Sequence, residues 1–425
     1  MIPGKVFTHV LLARLQLLLD KVCRTQQSGF TSGRCHPLDA ILTLRLLSEI
    51  HREFRKLLNV AYIDLKAAFD SVDREALWKA LAGIGVPNIL LDLIQELHHG
   101  TTSRVRLGNR FSARFRTSSG VRQGCVLAPA LFCCAMDYIM NWVTSGNAGI
   151  QLGDQCFTDL DYADDAVLFE ESCDKLLCRK WNLKLPNLVF NLHVSWTKTK
   201  VQNLGSGAAG EPILIGSETV DSVDSFCYLG SNMCSMANSH DESIRRMGIA
   251  SSVMQRLDRI WQQRQLSQHT KFRMYVCLVL STLLYGSETW TMTSQEWKRL
   301  EAFHTKAQRR ILNIRWFDFI CNDEVYKRSG LETVQTIVRR RRLGLFGHVA
   351  RLPPAVPASA ALHLAARLRD RDISITGWNR PRGRPPITWL HQIHGDCGLP
   401  ISEAFQCAQS RPLWRTIATA ERLCV

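Results

Sequence analysis

The segment DLDYADDAVLF (159–169) sets an apolar arm of strand length on either side of two adjacent aspartates. Strand-forming residues flanking a short polar tip specify a tight hairpin, and that hairpin forces both acids out of a core and onto a common edge. Holding like charges on one edge is costly without cations, so the feature constrains chemistry as well as fold. Taken alone it is weak, because adjacent aspartates are usually a solvated turn and a Tyr-x-Asp-Asp string arises by chance in roughly one chain of this size in twenty-five.

Further carboxylates fall at element junctions. NVAYIDL (59–65) is an apolar run of strand length with Asp64 near its end, and Asp73 then caps a helix through Leu81 that stops at Gly83, Gly85 and Pro87. Upstream, residues 5–20 and 38–57 carry helical apolar spacing around a glycine-, serine- and proline-containing loop, QQSGFTSGRCHP. Residues 103–118 alternate basic and apolar side chains around a Gly-Asn turn, as a hairpin with one wet basic face does. GVRQGCVLAPALF (120–132) is a glycine-rich turn entering an apolar helix. Beyond residue 232 the pattern turns helical over 241–264, 271–284 and 295–314, and the proline- and alanine-rich stretch 353–361 reads as a linker.

The chain has 53 lysines and arginines against 38 acids, a net charge of +15, which points to a polyanionic partner: nucleic acid or, less specifically, an anionic membrane face. No membrane span is expected, because the longest apolar run, 274–286, is far short of the ~20 residues a bilayer requires. His9, Arg14 and Gln16 interrupt the apolar N-terminal stretch, which reads as an amphipathic helix and not a signal peptide, so an intracellular location, nuclear or cytoplasmic, is expected. Fifteen cysteines without a CxxC pair read as free thiols. The nearest approach to a zinc cluster is His391, His394 and Cys397, which needs a fourth ligand such as Cys407 and has poor spacing.

Hard magnesium ions prefer oxygen ligands and keep waters, so two or three aspartates on rigid strands plus substrate phosphates suffice to hold a pair of them roughly 4 Å apart. Asp64 at a strand end, and Asp164 with Asp165 at a hairpin tip, meet that requirement.

From about residue 5 to residue 350 the chain resembles, in order, the reverse transcriptases of non-LTR (LINE-type) retrotransposons. AYIDLKAAFDSVDREALW (61–78) resembles the first catalytic motif, SGVRQGCVLAPALF (119–132) the substrate-positioning motif, and LDYADDAVLF (160–169) the metal-binding hairpin. LHVSWTKTK (192–200) and FCYLGS (226–231) resemble the two motifs that follow, QSGFTSGR (27–34) the upstream block, and LLYGSETW (283–290) and GLFGHVAR (344–351) the thumb and C-terminal region. The resemblance implies an α+β, right-hand polymerase fold: partial fingers (1–58), an antiparallel palm sheet with helices (59–232), a helical thumb (233–352) and a basic C-terminal region (353–425).

It also implies roles. Asp64 and Asp164 would coordinate two Mg2+ ions, Mn2+ being the alternative, with Asp165 as supporting carboxylate. Asp70 is a weaker candidate, balanced by a capping role with Ser71 and Asp73. Phe69 falls at the aromatic gate that leaves no room for a 2′-hydroxyl, against a plain core phenylalanine. Gln123 and Gly124 would contact the incoming nucleotide and template, with Arg122 as a nucleic-acid contact beside them. Lys198 or Lys200 would protonate or screen pyrophosphate, against a solvated lysine. Tyr228, Leu229 and Gly230 would form the primer grip. Residues 335–386 hold 11 arginines and 2 acids. There, Arg339, Arg340, Arg341 and Arg342 would contact phosphates, serve as an import signal, or form a charged helix face.

The implied partners are an RNA template, a DNA primer and deoxynucleoside triphosphates, with no membrane. The chain has no room for the family's endonuclease and begins too late for most of the fingers, so target nicking is expected to come from elsewhere or not at all, a companion chain being one source of the missing parts. Cys35 to Pro37 and 181–191, the latter a drifted helix, depart from the family pattern. The competing expectations are a catalytically incomplete nucleic-acid-binding relic, and an RNA-dependent RNA polymerase, which would lack the bulky gate at Phe69.

Overall fold

The computed structural model describes residues 2–30, 36–146, 148–172, 184–185, 188–207, 210–215, 218–236, 239–383 and 387–420. Chain contacts divide it into two units: residues 1–40, 56–224 and 355–357, and residues 41–55, 225–354 and 358–425.

The first unit is built on a six-stranded sheet. Its order is Ile213–Ile215, Glu218–Ser222, Lys200–Asn203, Asn59–Ile63, Asp165–Glu170, Asp159–Tyr162, antiparallel except where Lys200–Asn203 runs parallel with Glu218–Ser222. All five residues of Asn59–Ile63 are buried, which is why NVAYI reads as an unbroken apolar run instead of alternating. The helix Arg74–Gly83 starts where Asp73 accepts the backbone N–H of Ala76 at 2.8 Å. Helix Ala128–Val143, apolar nearly all round, packs into the same core as Leu77, Leu81 and Ile94. Each such side chain contributes roughly 1.5–3 kcal/mol on burial. The expected basic hairpin forms, with Thr102–Ser103 paired to Phe115–Arg116 and Arg106–Leu107 to Arg110–Phe111.

The second unit is almost wholly helical apart from the hairpin Ser225–Tyr228 and Ser231–Cys234. Helices His240–Arg256, Ser294–Leu312 and Val334–Val349 enclose a core that includes Trp290, Leu283, Leu300 and Val338. Thr293 and Glu296 form a reciprocal capping box at the start of the second of these.

Several expectations are corrected. Residues 271–284 are not one α-helix: Tyr275–Leu280 is a π-helical segment that carries Tyr275, Val279 and Leu280 into the core. Residues 353–361 are no linker, since Pro357–Arg369 is a helix; proline at a first helical position loses no hydrogen bond. The C-terminal region continues in helices Trp389–Cys397, Ile401–Gln409 and Arg411–Thr419, and Phe346, Phe405 and Trp414 pack there as an aromatic cluster. Most of helix Pro37–Glu53, expected with the fingers, groups with the second unit. Buried Arg45 donates to Ser231 and Ser239 Oγ, and Glu49 accepts the Trp389 backbone N–H. Residues 181–183 and 186–187 of the stretch 181–191 lie outside the described residues; there Lys184–Leu185 and Leu188–Val189 pair as two short strands where helix was expected. Residues 31–34 of the upstream block, Cys35 after it, and 384–386 of RPRGRPP also lie outside them.

Candidate active site

The sheet register brings the acids together. Ile63 pairs with Ala166, so Asp64, the next residue, continues toward Asp165 at the start of the neighbouring strand. Tyr162 pairs with Asp165, leaving Ala163 and Asp164 as the two-residue tip. Ala163 adopts φ +58, in keeping with a turn of the twist-matched hairpin class. The main chain of Asp64 is pinned at both ends: its carbonyl accepts the Ser195 N–H at 2.7 Å and its N–H donates to Thr199 Oγ1 at 3.3 Å.

The electrostatics are those of crowded carboxylates. Partial burial first, and then Asp164 and Asp64, push the Asp165 carboxyl up to about 6. Asp64 Oδ2 is shielded from solvent and has no hydrogen-bond partner among the described residues, while Lys198 Nζ stands 3.5 Å from it. Burying a carboxylate oxygen with so little compensation is unfavourable, and a divalent cation on this edge would relieve it. Among the described residues no three His, Cys, Asp or Glu side chains close around a point, and this holds for His391, His394 and Cys397 as well. The three aspartates form an open edge, which fits hard cations completed by waters and phosphate oxygens and not a closed cage.

Phe69 is half-buried and stacks on Phe132 with ring centroids 4.3 Å apart. Its carbonyl accepts the Val121 N–H at 2.8 Å, tying it to the glycine-rich turn. That turn needs Gly120: its φ is +77, and a Cβ there would lie 2.7 Å from the Asp70 backbone. Arg122, Gln123 and Gly124 are exposed, and open space faces Gly124 where a side chain would start. Asp73 caps the following helix; Asp70 is exposed, and its carbonyl accepts the Ser119 hydroxyl.

The two candidate lysines separate. Lys198 stands beside Asp64 with most of its side chain in solvent, whereas Lys200 is paired with Asp221 at 2.7 Å. In the second unit, Leu229 and Gly230 form the turn after Tyr228. Tyr285 Oη donates to the Leu229 carbonyl at 2.8 Å, and Arg245 and Arg246 both donate to the Gly230 carbonyl.

The arginine run serves the fold instead of presenting a free basic face. Arg342 is buried and bonds Asp396 Oδ2 at 2.7 Å and Gln392, Arg340 makes a bidentate pair with Glu332, Arg339 donates to the Asp396 and Ala420 carbonyls, and Arg341 donates to the Leu284 carbonyl. Arg340 and Arg341 keep part of their side chains in solvent, whereas Arg342 is buried.

Two residues behind the hairpin went unassigned in the sequence. Arg24 bonds Asp159 at 2.7 Å and Asp161 at 2.9 Å, all with side chains almost wholly buried. Burial opposes its charge, but Asp159 and Asp161 hold its pKa above the ordinary arginine value. Gln27 Oε1 accepts the N–H groups of Gly29 and Ala163, while Ser28 N–H and Oγ both donate to the Asp161 carbonyl. QSG thus adds a short parallel bridge along the edge of the Asp159–Glu170 hairpin.

The profile of the family described as "Reverse transcriptase (RNA-dependent DNA polymerase)" matches residues 1–233. A Pol polyprotein from type-1 retrotransposable element R2 of Nasonia vitripennis is 33% identical over 134 residues, 31% of this chain and 13% of that protein. One from type-2 element R2DM of Drosophila melanogaster is 31% identical over 149 residues, 35% of this chain and 14% of that protein. A probable RNA-directed DNA polymerase from the Drosophila melanogaster transposon X-element is 22% identical over 354 residues, 78% of this chain and 36% of its own length. The matched segments thus span between about an eighth and a third of these relatives. Among solved structures, a telomerase from Candida tropicalis aligns with a TM-score of 0.42 at 14% identity, over 87% of this chain and 54% of that one. The chain belongs to the reverse transcriptase (RNA-dependent DNA polymerase) family, with an α+β right-hand polymerase fold, and its relatives there are polymerases of non-LTR retrotransposons.

Proposed function

We propose that this chain extends a primer on an RNA template, joining deoxynucleotides by two-metal nucleotidyl transfer. The observation that carries the reading is the edge shared by Asp64, Asp164 and Asp165, where partial burial and the two neighbouring carboxylates lift Asp165 to about 6. Two Mg2+ ions held by Asp64 and Asp164, with Asp165 in support, would supply activation of the primer hydroxyl and neutralisation of the triphosphate.

The chain's own groups do the rest. Lys198, beside Asp64 and open to solvent, is the group for donating a proton to the departing pyrophosphate. The Phe69 ring, backed by Phe132, forms the wall against a 2′-hydroxyl. Gln123 offers donor and acceptor together, and Gly124 allows close backbone approach. The turn Tyr228 to Gly230, braced by Tyr285 and Arg245, is the primer grip. In this reading the six-stranded sheet belongs to the palm and the helices between residues 233 and 352 are the thumb.

Primer extension on an RNA template with Mg2+, comparing deoxy- and ribonucleotides, tests the proposal against an Asp164→Asn, Asp165→Asn double variant. Deoxynucleotide extension that the variant loses supports it. Absence of extension alongside salt-sensitive RNA binding would replace it with a binding-only relic.

A further inference from the structure

We propose that the hairpin spanning residues 102–116 is a binding arm for single-stranded RNA, taking up the strand next to the cleft that holds Gln123. This rests on the polymerase reading for the identity of the strand, but not for the binding itself.

Every residue from 102 to 116 is exposed. The segment carries Arg104, Arg106, Arg110, Arg114 and Arg116 and no acid, and none of the five arginines forms an ion pair among the described residues. Between them stand apolar side chains left in water: Leu107 is 83% exposed, Val105 and Phe111 60%, and Phe115 49%. A two-stranded ribbon has no core of its own to hide such groups, so this combination is unfavourable until something covers it. Arg106 and Phe111 are cross-strand partners, the guanidinium lying 5.7 Å from the ring centroid.

Charge and shape select the occupant. Five uncompensated arginines call for a polyanion, and interleaved phenylalanines and aliphatics call for flat apolar faces that a closed duplex keeps stacked inside. Unpaired bases on a phosphate backbone present both.

The base of the arm is fixed and continuous with the site. Arg74 donates to the carbonyls of Gly120, His98 and Thr117 at 2.9, 2.9 and 3.1 Å, and Thr101 and Thr117 hydroxyls bond across the base at 2.8 Å. A polar cavity of about 570 Å³ is lined by Thr102 and Ser103 of the arm together with Asp70, Arg122 and Gln123. A strand lying along the arm therefore runs into the turn assigned to nucleotide and template.

The test uses fluorescence anisotropy of the full-length chain with a labelled, unstructured 20-nucleotide RNA, across a salt series. The variants are a five-fold Arg→Gln substitution at 104, 106, 110, 114 and 116, and a Phe111→Ala, Phe115→Ala pair. The arginine variant should lose at least ten-fold in affinity and show a flatter salt dependence, since each phosphate contact adds about 0.7 to the slope for single strands. The phenylalanine pair should lose several-fold with the slope unchanged. Thermal unfolding within a few degrees of the parent confirms that both variants fold, as expected for exposed positions.

Unchanged RNA affinity and slope in the arginine variant overturns the proposal, as does tighter binding of a duplex of equal length, or arginine-dependent binding of phosphatidylserine vesicles with none of RNA. Primer extension by the parent, measured beside RNA affinity, separates the two readings. RNA binding that depends on the arm, with no extension by the parent, leaves the arm standing and removes the polymerase. Extension by a parent whose RNA affinity ignores the arm does the reverse.

Discussion

Gln27 Oε1 accepts the backbone N–H of Ala163 at 3.1 Å, across 136 residues of sequence, and so holds the left-handed residue that precedes Asp164. The same oxygen takes the Gly29 N–H at 2.9 Å, and a Cβ on Gly29 would stand 2.3 Å from the Ala163 nitrogen. Gln27 itself is fully buried. The geometry of the tip that carries Asp164 is thus set by a side chain buried behind it.

Gln27→Leu should consequently lower the turnover of primer extension by about ten- to a hundred-fold, the scale of an ångström's misplacement in a catalytic group. Nucleotide KM and RNA affinity should stay near those of the parent. Stranding two buried N–H groups costs about 1–3 kcal/mol each, so the comparison is made at a temperature where both proteins are folded. A rise in KM at unchanged turnover would place Gln27 in substrate binding instead.

Arg24 has a different duty, one cation against several buried acids. Asp137, whose carboxyl accepts the Arg24 N–H, is pushed up to about 6 by burial, and Asp161 is raised by burial and by Asp159. Arg24→Met leaves these carboxyls uncompensated and should destabilise the chain by about 3–5 kcal/mol. Without the guanidinium they hold protons to higher pH, so the folded variant binds more protons than the unfolded chain and its deficit shrinks as pH falls. Urea unfolding of both proteins at pH 5 and pH 8 measures this, and a deficit that grows toward pH 5 would contradict the assignment.

What was legible in the sequence was local. The Asp159–Glu170 hairpin, the Asp73 cap and the turn at Gly108 and Asn109 are each specified within a dozen residues, where periodicity and turn chemistry suffice. Partners distant in sequence were not legible. Nothing in the string RTQQSG says that Arg24 meets Asp161 or that Gln27 reaches Ala163. Charge is silent for the same reason: RRRR gives a sign but not the partners, and Arg342 finds Asp396 while Arg340 finds Glu332. The lysines near Asp64 looked equivalent until the parallel strand placed Asp221 opposite Lys200.

Glu49 gives the second unit a pH response. Burial pushes its carboxyl up from 4.5 to about 7, against the opposing hydrogen bonds from the Trp389 N–H and the Thr291 hydroxyl. A carboxyl raised on folding stabilises the folded state fully below its unfolded pKa, and that contribution fades as pH rises through about 7. The whole effect is on the order of 3 kcal/mol. Glu49→Gln should remove this loss, so that the variant gains stability relative to the parent between pH 5 and pH 8. Parallel denaturation curves at the two pH values would exclude the effect.

His304 works in the opposite direction within the same unit. It is buried, its Nδ1 faces Tyr275 Oη at 2.8 Å and its Nε2 faces the Glu332 carbonyl at 3.1 Å. A carbonyl only accepts, so Nε2 carries the proton and Nδ1 takes the tyrosine's, an arrangement that needs a neutral ring. Burial accordingly lowers the imidazole from 6.5 to about 4. A group depressed on folding contributes stability above its unfolded pKa and loses it as pH falls through its folded one, here between 6.5 and about 4. Over most of that window Glu49 contributes with the opposite slope, so the parent's stability should be nearly flat there as far as these two groups decide it. The single variants should expose each slope: Glu49→Gln should lose stability steeply below pH 6, and His304→Gln, weaker at pH 7, should gain stability as pH is lowered from 7 to 5. Identical pH profiles for the two variants, read by urea midpoints at half-unit steps, would rule out the pairing.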